Sequence, residues 1–157
     1  MKLVLVCVLI TIVMIIAYSL SAQIKDKHEF FVSLKSFLQE FKLNLSFKQD
    51  KLNEFLATTK SKKQFKEFLE SYKNYLKTGE FDLTAIKLLD EEEKTKLKGI
   101  FCEIGKSDQK NEIAKIDGFL AQIEQKVEQM SEDRKKLCPL IIKLSLLFAV
   151  AVAIILI

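Results

Sequence analysis

The sequence predicts an all-α membrane protein: a cytosolic bundle of five to six helices between an N-terminal and a C-terminal transmembrane helix. The 157-residue chain contains only 1 Pro and 4 Gly, too few turn residues for a β-sandwich or barrel. Hydrophobic residues make up 49% of the chain, and they concentrate in one run near each end. Between these runs apolar residues recur every three or four positions, the spacing of an amphipathic helix. We expect the last helix to run into the second span.

Both apolar runs are long enough to cross a bilayer. Residues 3–20 carry no charge, and residues 140–157 carry only Lys143. Each would form a helix of about 27 Å, close to the ~30 Å hydrocarbon thickness. The predicted domains are a membrane anchor or signal sequence at 1–22, a helical-bundle domain at 23–136 and a C-terminal transmembrane helix at 137–157.

The first apolar run has two interpretations. Met1 and Lys2 form a short basic start, and small residues at Ser19, Ser21 and Ala22 resemble a signal-peptide cleavage site. The run is longer than the usual ~7–15 apolar residues of a signal peptide, which favours a retained anchor. Whether residues 1–22 are cleaved stays open.

Basic residues next to the spans predict the orientation. Four lie in residues 23–42 and four in residues 117–136: Lys25, Lys27, Lys35, Lys42, Lys126, Arg134, Lys135 and Lys136. Because positive residues favour the inner side of the membrane, the middle domain is predicted to be cytoplasmic, with both termini outside.

The first half of the middle domain predicts three helical segments. Residues 26–45 carry an apolar stripe that can continue directly from the first span, residues 48–59 form a short segment, and residues 61–78 form an aromatic-rich helix. Ser61 is the candidate N-cap of the third segment, and Gly79 follows its end. The stripes consist of Phe31, Leu34, Leu38, Phe41 and Leu45, then Leu52, Phe55 and Leu56, then Phe65, Phe68, Leu69, Tyr72, Tyr75 and Leu76.

The second half begins with a short apolar element at 81–89 and continues with two helices. Asp90 and Glu93 have the spacing of a capping box, and Glu91 and Glu92 also favour a helix start. Leu97, Ile100, Phe101 and Ile104 form the stripe of this helix, which ends at Gly105.

Ser107 or Asp108 is expected to cap the last helix, which contains Pro139 where a kink is expected. Its narrow apolar stripe consists of Ile113, Ile116, Leu120, Ile123, Val127, Met130 and Leu137. This spacing is typical of a coiled coil. Packing inside the domain is the favoured interpretation, and a contact with a second copy, giving a homo-oligomer, stays open.

The sequence carries little that could perform chemistry, so we predict no enzyme, no cofactor, no metal and no small-molecule substrate. There is one histidine, His28, and the Gly-Lys-Ser at 105–107 lacks the earlier glycine of a phosphate loop. The odd number of cysteines without CxxC spacing fits neither a disulfide framework nor a zinc site. The middle domain is nearly charge-balanced, which argues against a nucleic-acid partner.

The order of these features resembles the stage III sporulation protein AB family of endospore-forming bacteria, over essentially the whole chain. Residues 33–56 are similar to the family's first two helices, and IGKSDQKNEI at 104–113 resembles its Leu-Gly-x-Ser-Asp turn. The chain departs from the family pattern at three places. FKQDK stands at 47–51 where the family has a proline-rich segment, Ile104 stands in place of a leucine, and Glu112 stands in place of a glutamine.

The resemblance implies a role in the channel between mother cell and forespore. The family is similar to the F-type inner-membrane platform of type II secretion and type IV pilus systems. It implies a scaffold in the mother-cell membrane around the forespore, with membrane lipid, a secretion-type ATPase and other channel subunits as partners. Gly105, Lys106, Ser107 and Asp108 form the candidate structural or partner turn. The alternative is an extracytoplasmic helical binding module with a cleaved signal peptide and a C-terminal anchor.

Overall fold

The computed structural model describes residues 2–48, 52–59 and 63–156, and within them the chain is all-α, as predicted. Five α-helices follow one another in the described residues. They are α1 (Lys2–Leu43), α2 (Leu52–Thr58), α3 (Lys63–Thr78), α4 (Glu91–Glu103) and α5 (Gln109–Leu156). A π-helical turn at Asn44–Lys48 follows α1. The α-helix therefore ends within two residues of the end predicted for the segment at 26–45.

The chain forms two compact units. Residues 1–28 and 129–157 form one, which we call the helix-pair unit, and residues 29–128 form the other, the bundle unit. The bundle unit lies within the predicted middle domain.

The helix-pair unit contains the apolar parts of α1 and α5. Both helices are long and apolar enough to cross a membrane, and only 11% of the most apolar window of each is buried. Its buried residues are mostly small: Ala17, Ser21, Cys138 and Ala149. The Cys138 thiol lies 3.9 Å from the carbonyl oxygen of Ser21, where the two helices contact each other. Cys7, Cys102 and Cys138 are all free thiols.

The core of the bundle unit is a cluster of aromatic rings. The predicted stripe of α1 is buried as far as Phe41, and the buried Phe37 on the same helix contacts rings from α2, α3 and α4. Phe101 on α4 is central, with ring centroids 4.7 Å from Phe68 and 4.9 Å from Tyr72 in edge-to-face geometry. Such pairs add about 0.5–1.5 kcal/mol each beyond the burial of apolar area.

Local signals set the helix ends in the bundle unit. Gly79 and Gly105 have positive φ, 81° and 83°, and each follows the end of a helix. Asp90 caps α4: its carboxylate accepts from the Glu93 amide, and the Glu93 side chain accepts from the Asp90 amide. The predicted capping box is therefore confirmed. The predicted cap Ser61 and part of the 47–51 phrase lie outside the described residues.

Residues 81–89 contribute to the core without forming a helix. Phe81, Leu83, Ile86 and Leu89 are buried, while the backbone forms turns. The Asp82 carboxylate accepts from the Thr84 amide at 2.8 Å, which closes one of these turns and lowers the pKa of Asp82. Only five helices are therefore described, the lower of the two numbers expected.

The stripe of α5 is buried only in its middle. Ile116, Leu120 and Ile123 are buried within the bundle unit, as the favoured interpretation required, whereas Leu137 is 41% exposed. Pro139 lies inside α5.

An ion pair links α4 to α5 beside this stripe. Lys126 Nζ lies 3.1 Å from Glu93 Oε1 and 5.8 Å from the centre of the Phe31 ring. Glu93 thus has two functions, in the capping box and in this ion pair.

Candidate functional site

The turn between α4 and α5 has a defined backbone. Ile104 is buried and extended, with φ −63° and ψ 131°, and Gly105 then adopts φ 83°. A Cβ on Gly105 would lie 3.8 Å from Leu52, an ordinary contact distance, so the glycine is required by its dihedral angle rather than by space. The Lys106 amide donates to the Glu103 carbonyl at 3.4 Å.

Glu112 connects the first turn of α5 back to this glycine. Its Oε1 atom accepts from the Gly105 amide at 2.8 Å, and its own amide donates to the Asp108 carbonyl at 2.9 Å. Asp108 directly precedes α5, and its carboxylate accepts from the side-chain amide of Asn111. The turn is therefore held by side chains of the helix that it precedes.

The end of α1 is bound to the same place. The side-chain amide of Gln109, the first residue of α5, donates to the carbonyl of Leu45 in the π-helical turn. Backbone hydrogen bonds in a π-helix join residues five positions apart rather than four, so the pairing of carbonyls changes where α1 ends. Gln109 therefore supplies a donor for this carbonyl where α1 has ended.

A groove of about 370 Å³ lies beside the turn. It combines apolar walls with a polar rim. We call it the turn groove, and its lining residues are Phe41, Leu45, Leu52, Gly105, Ser107, Gln109 and Glu112.

The four predicted turn residues lie together but differ in exposure. Gly105, Lys106 and Asp108 are exposed, and Ser107 is half-buried. Only Gly105 and Ser107 line the turn groove. Lys106 is on the outside, where its charge is accessible to a partner.

Sequence reasoning missed the role of Glu112. It noted the residue only as a departure from a family pattern, yet its side chain is 2% exposed and lines the turn groove. The available signal was an acid in the first turn of a helix, seven residues after a helix-ending glycine. The charge of Glu112 also contributes to raising the pKa of buried Tyr72, although desolvation of the phenol is the largest cause.

Nothing in the described part of the chain groups three or more His, Cys, Asp or Glu side chains where a metal could bind. The turn thus places an exposed cation, Lys106, next to a groove that a buried carboxylate lines.

The comparisons with known proteins gave one result. The family model described as stage III sporulation protein AB matches residues 2–157. Neither the search of curated proteins nor that of solved structures gave a match. The whole-length match, together with the two long apolar helices and the Gly105–Asp108 turn, shows that this chain belongs to the stage III sporulation protein AB family.

Proposed function

We propose that this protein is a membrane-anchored scaffold of the sporulation channel between mother cell and forespore, where it docks a secretion-type ATPase. The observation that carries the proposal is the family match over residues 2–157. The protein acts by contact rather than by catalysis, since a chain with one histidine and no phosphate loop offers little for acid–base or nucleotide chemistry.

The membrane arrangement is part of the proposal. Residues 3–20 and 140–157 span the mother-cell membrane that surrounds the forespore, and the middle domain lies in the cytoplasm. The length of the first apolar run supports a retained anchor, because it exceeds the ~7–15 apolar residues usual for a signal peptide. The basic residues flanking both spans support the orientation.

Cysteine labelling tests this topology. Lys87 is exposed in the segment between α3 and α4, so Lys87→Cys in a chain whose three native cysteines are alanine provides an accessible thiol. We expect a membrane-impermeant maleimide to leave this thiol unlabelled in intact cells and to label it after lysis. Labelling of intact cells would contradict the cytoplasmic placement and favour the alternative of an extracytoplasmic module with a cleaved signal peptide.

The ATPase contact is proposed at the turn, where Lys106 presents an exposed charge. Lys106→Glu should weaken retention of the ATPase by the membrane-embedded chain and lower the number of heat-resistant spores. The melting temperature of the bundle should stay unchanged, because Lys106 contributes its backbone rather than its side chain to the turn.

Lys77→Glu is the matched control, since Lys77 is an exposed lysine in the last turn of α3. It should retain the ATPase as the unaltered chain does. Equal retention by the Lys106 and Lys77 variants would leave the turn with a structural role only.

A further inference from the structure

Glu112 lines the turn groove, and one oxygen of its buried carboxylate has no hydrogen-bond partner among the described residues. Glu112 is 2% exposed, and while Oε1 accepts from Gly105, Oε2 has no partner among the described residues. A buried acceptor left unsatisfied costs about 1–3 kcal/mol, and more when it is charged. An acceptor left open at such a cost suggests a ligand that the described residues do not supply.

Nearby lysines bind other acids. Lys115, one turn further along α5, pairs with Glu103 at 3.7 Å, and Lys42 on α1 pairs with Asp117. These two lysines are therefore engaged by other acids, and Glu112 makes no ion pair within the described residues.

The rest of the groove has the character of a side-chain pocket. Phe41, Leu45 and Leu52 supply apolar walls, and Ser107 and Gln109 supply further oxygen atoms at the rim. The Gln109 amide nitrogen is used by Leu45, which leaves its Oε1 atom as an acceptor. A volume of about 370 Å³ is within the range of ligand pockets.

We propose that the turn groove binds an arginine side chain of a partner protein, with the Glu112 carboxylate as its principal acceptor. A guanidinium group is planar and has five N–H donors, so it can bind several acceptors at once and lie against an aromatic ring. Lysine would offer a compact, strongly hydrated charge that matches an apolar-walled groove less well. This inference rests on the proposed function, because it names the chemistry of the contact beside the docking turn.

Other occupants fit less well. A Ca²⁺ or Mg²⁺ ion needs about six oxygen ligands, usually with more than one carboxylate, and Glu112 is the only acid among the described residues that line the groove. A second copy of this chain could offer only one arginine, Arg134, which is half-buried on α5.

The four glycines provide an internal assay. With [¹⁵N]glycine labelling of the full chain in micelles, Gly105 reports on the groove because its amide binds Glu112, while Gly79, Gly99 and Gly118 lie elsewhere. The probes are acetyl-arginine methylamide and acetyl-lysine methylamide, each blocked at both backbone ends. We expect the arginine probe to shift the Gly105 signal and leave the other three in place, with at least about tenfold weaker binding of the lysine probe.

Glu112→Gln is the decisive variant, because an amide oxygen can still accept from Gly105 while the negative charge is removed. It should weaken binding of the arginine probe at least about tenfold. Glu80→Gln, an equal change of charge at an exposed position outside the groove, should bind the probe as the unaltered chain does. The three remaining glycine signals verify that each variant is folded. An unmoved Gly105 signal, or equal binding by the Glu112 variant, would overturn the inference.

ATPase retention separates this inference from the proposed function. If the unaltered chain fails to retain the ATPase, the proposed function is wrong, whatever the probe shows. If it retains the ATPase and Glu112→Gln does so equally well, the ATPase uses another surface and the assignment of the groove to its arginine is wrong. A loss of ATPase retention in Glu112→Gln but not in Glu80→Gln supports both the proposed function and the arginine site.

Discussion

The two units of the molecule use the same residue types in opposite ways. In the bundle unit the large apolar side chains are inside: Phe30 and Phe68 are fully buried. In the helix-pair unit they point outward, with Phe148 59% exposed and Ile154 72% exposed, and small residues are inside. The contrast is the one expected between a core packed in water and a pair of candidate membrane-spanning helices. Water drives large apolar groups inward, whereas lipid does not, so close approach of helices through small residues takes over.

This difference teaches that burial, rather than residue type, decides what an aromatic residue contributes to stability. The chain has twelve phenylalanines, and their energetic roles differ with the unit in which they lie. Substitutions at matched positions should therefore differ sharply in their effect on the bundle unit.

The largest effect is expected for a core phenylalanine. Phe68 contacts four rings and is fully buried, so Phe68→Ala should lower the free energy of unfolding of the bundle by about 3–5 kcal/mol. The measurement is denaturant unfolding of the full chain in micelles, followed by near-ultraviolet circular dichroism of the tyrosines. Phe148→Ala is the control and should change the free energy of unfolding by less than about 1 kcal/mol. An equal loss of unfolding free energy in both variants would contradict the proposed difference between buried and exposed phenylalanines.

A smaller effect is expected at the turn. Gly105 has φ 83°, so Gly105→Val should cost about 2 kcal/mol, because a β-branched residue is strained in that region. Gly118→Ala is the contrasting change, since Gly118 lies inside α5 with nothing within 4 Å of the added Cβ. It should stabilise the bundle by up to about 1 kcal/mol. The same unfolding assay applies, and a stabilising Gly105→Val would show that the turn has a different backbone.

The smallest effect concerns two tyrosines. Tyr72 is fully buried, and its hydroxyl has no hydrogen-bond partner in the described residues. Tyr72→Phe should therefore stabilise the bundle by about 1 kcal/mol at neutral pH. Tyr18→Phe, at a 76% exposed position in the helix-pair unit, should leave the bundle unchanged.

The pH dependence of the free energy of unfolding provides a second test of the difference between Tyr72 and Tyr18. Burial raises the pKa of Tyr72 above its usual value near 10, so the folded chain keeps a proton that the unfolded chain loses. Stability from this group is intact below about pH 10 and is lost as the pH rises further. The unaltered chain and Tyr18→Phe should share this alkaline loss, and Tyr72→Phe should lose less. Parallel pH profiles for all three would mean that Tyr72 ionises without penalty.

The sequence alone predicts those features of the fold that depend on residues close together in the chain. The Asp90–Glu93 capping box, the helix-ending glycines at 79 and 105 and the α1 stripe are all set by residues within a few positions of each other. Helix periodicity and capping act over that same short range, which explains why these features could be read directly.

Contacts between residues that are far apart in the sequence could not be predicted from local patterns. The ion pair of Glu93 with Lys126 depends on how α4 and α5 are placed, and the exposure of Leu137 depends on where the bundle ends. The hydrogen bond that the Gly105 amide donates to Glu112 forms only when the turn brings the two residues together. The sequence predicts a short apolar element at residues 81–89. It does not predict the turns of this element, because they depend on the core that these residues cover.

The ring cluster around Phe101 also constrains how this sequence can change over generations. Phe101 contacts the rings of Phe37, Phe68, Tyr72 and Phe81, and effects of substitutions at touching positions are not additive, with coupling of about 0.5–3 kcal/mol. A change at one ring alters the cost of a change at each neighbour. Drift in this core should therefore proceed by paired replacements, and relatives that have lost one of these rings should carry a compensating change at another.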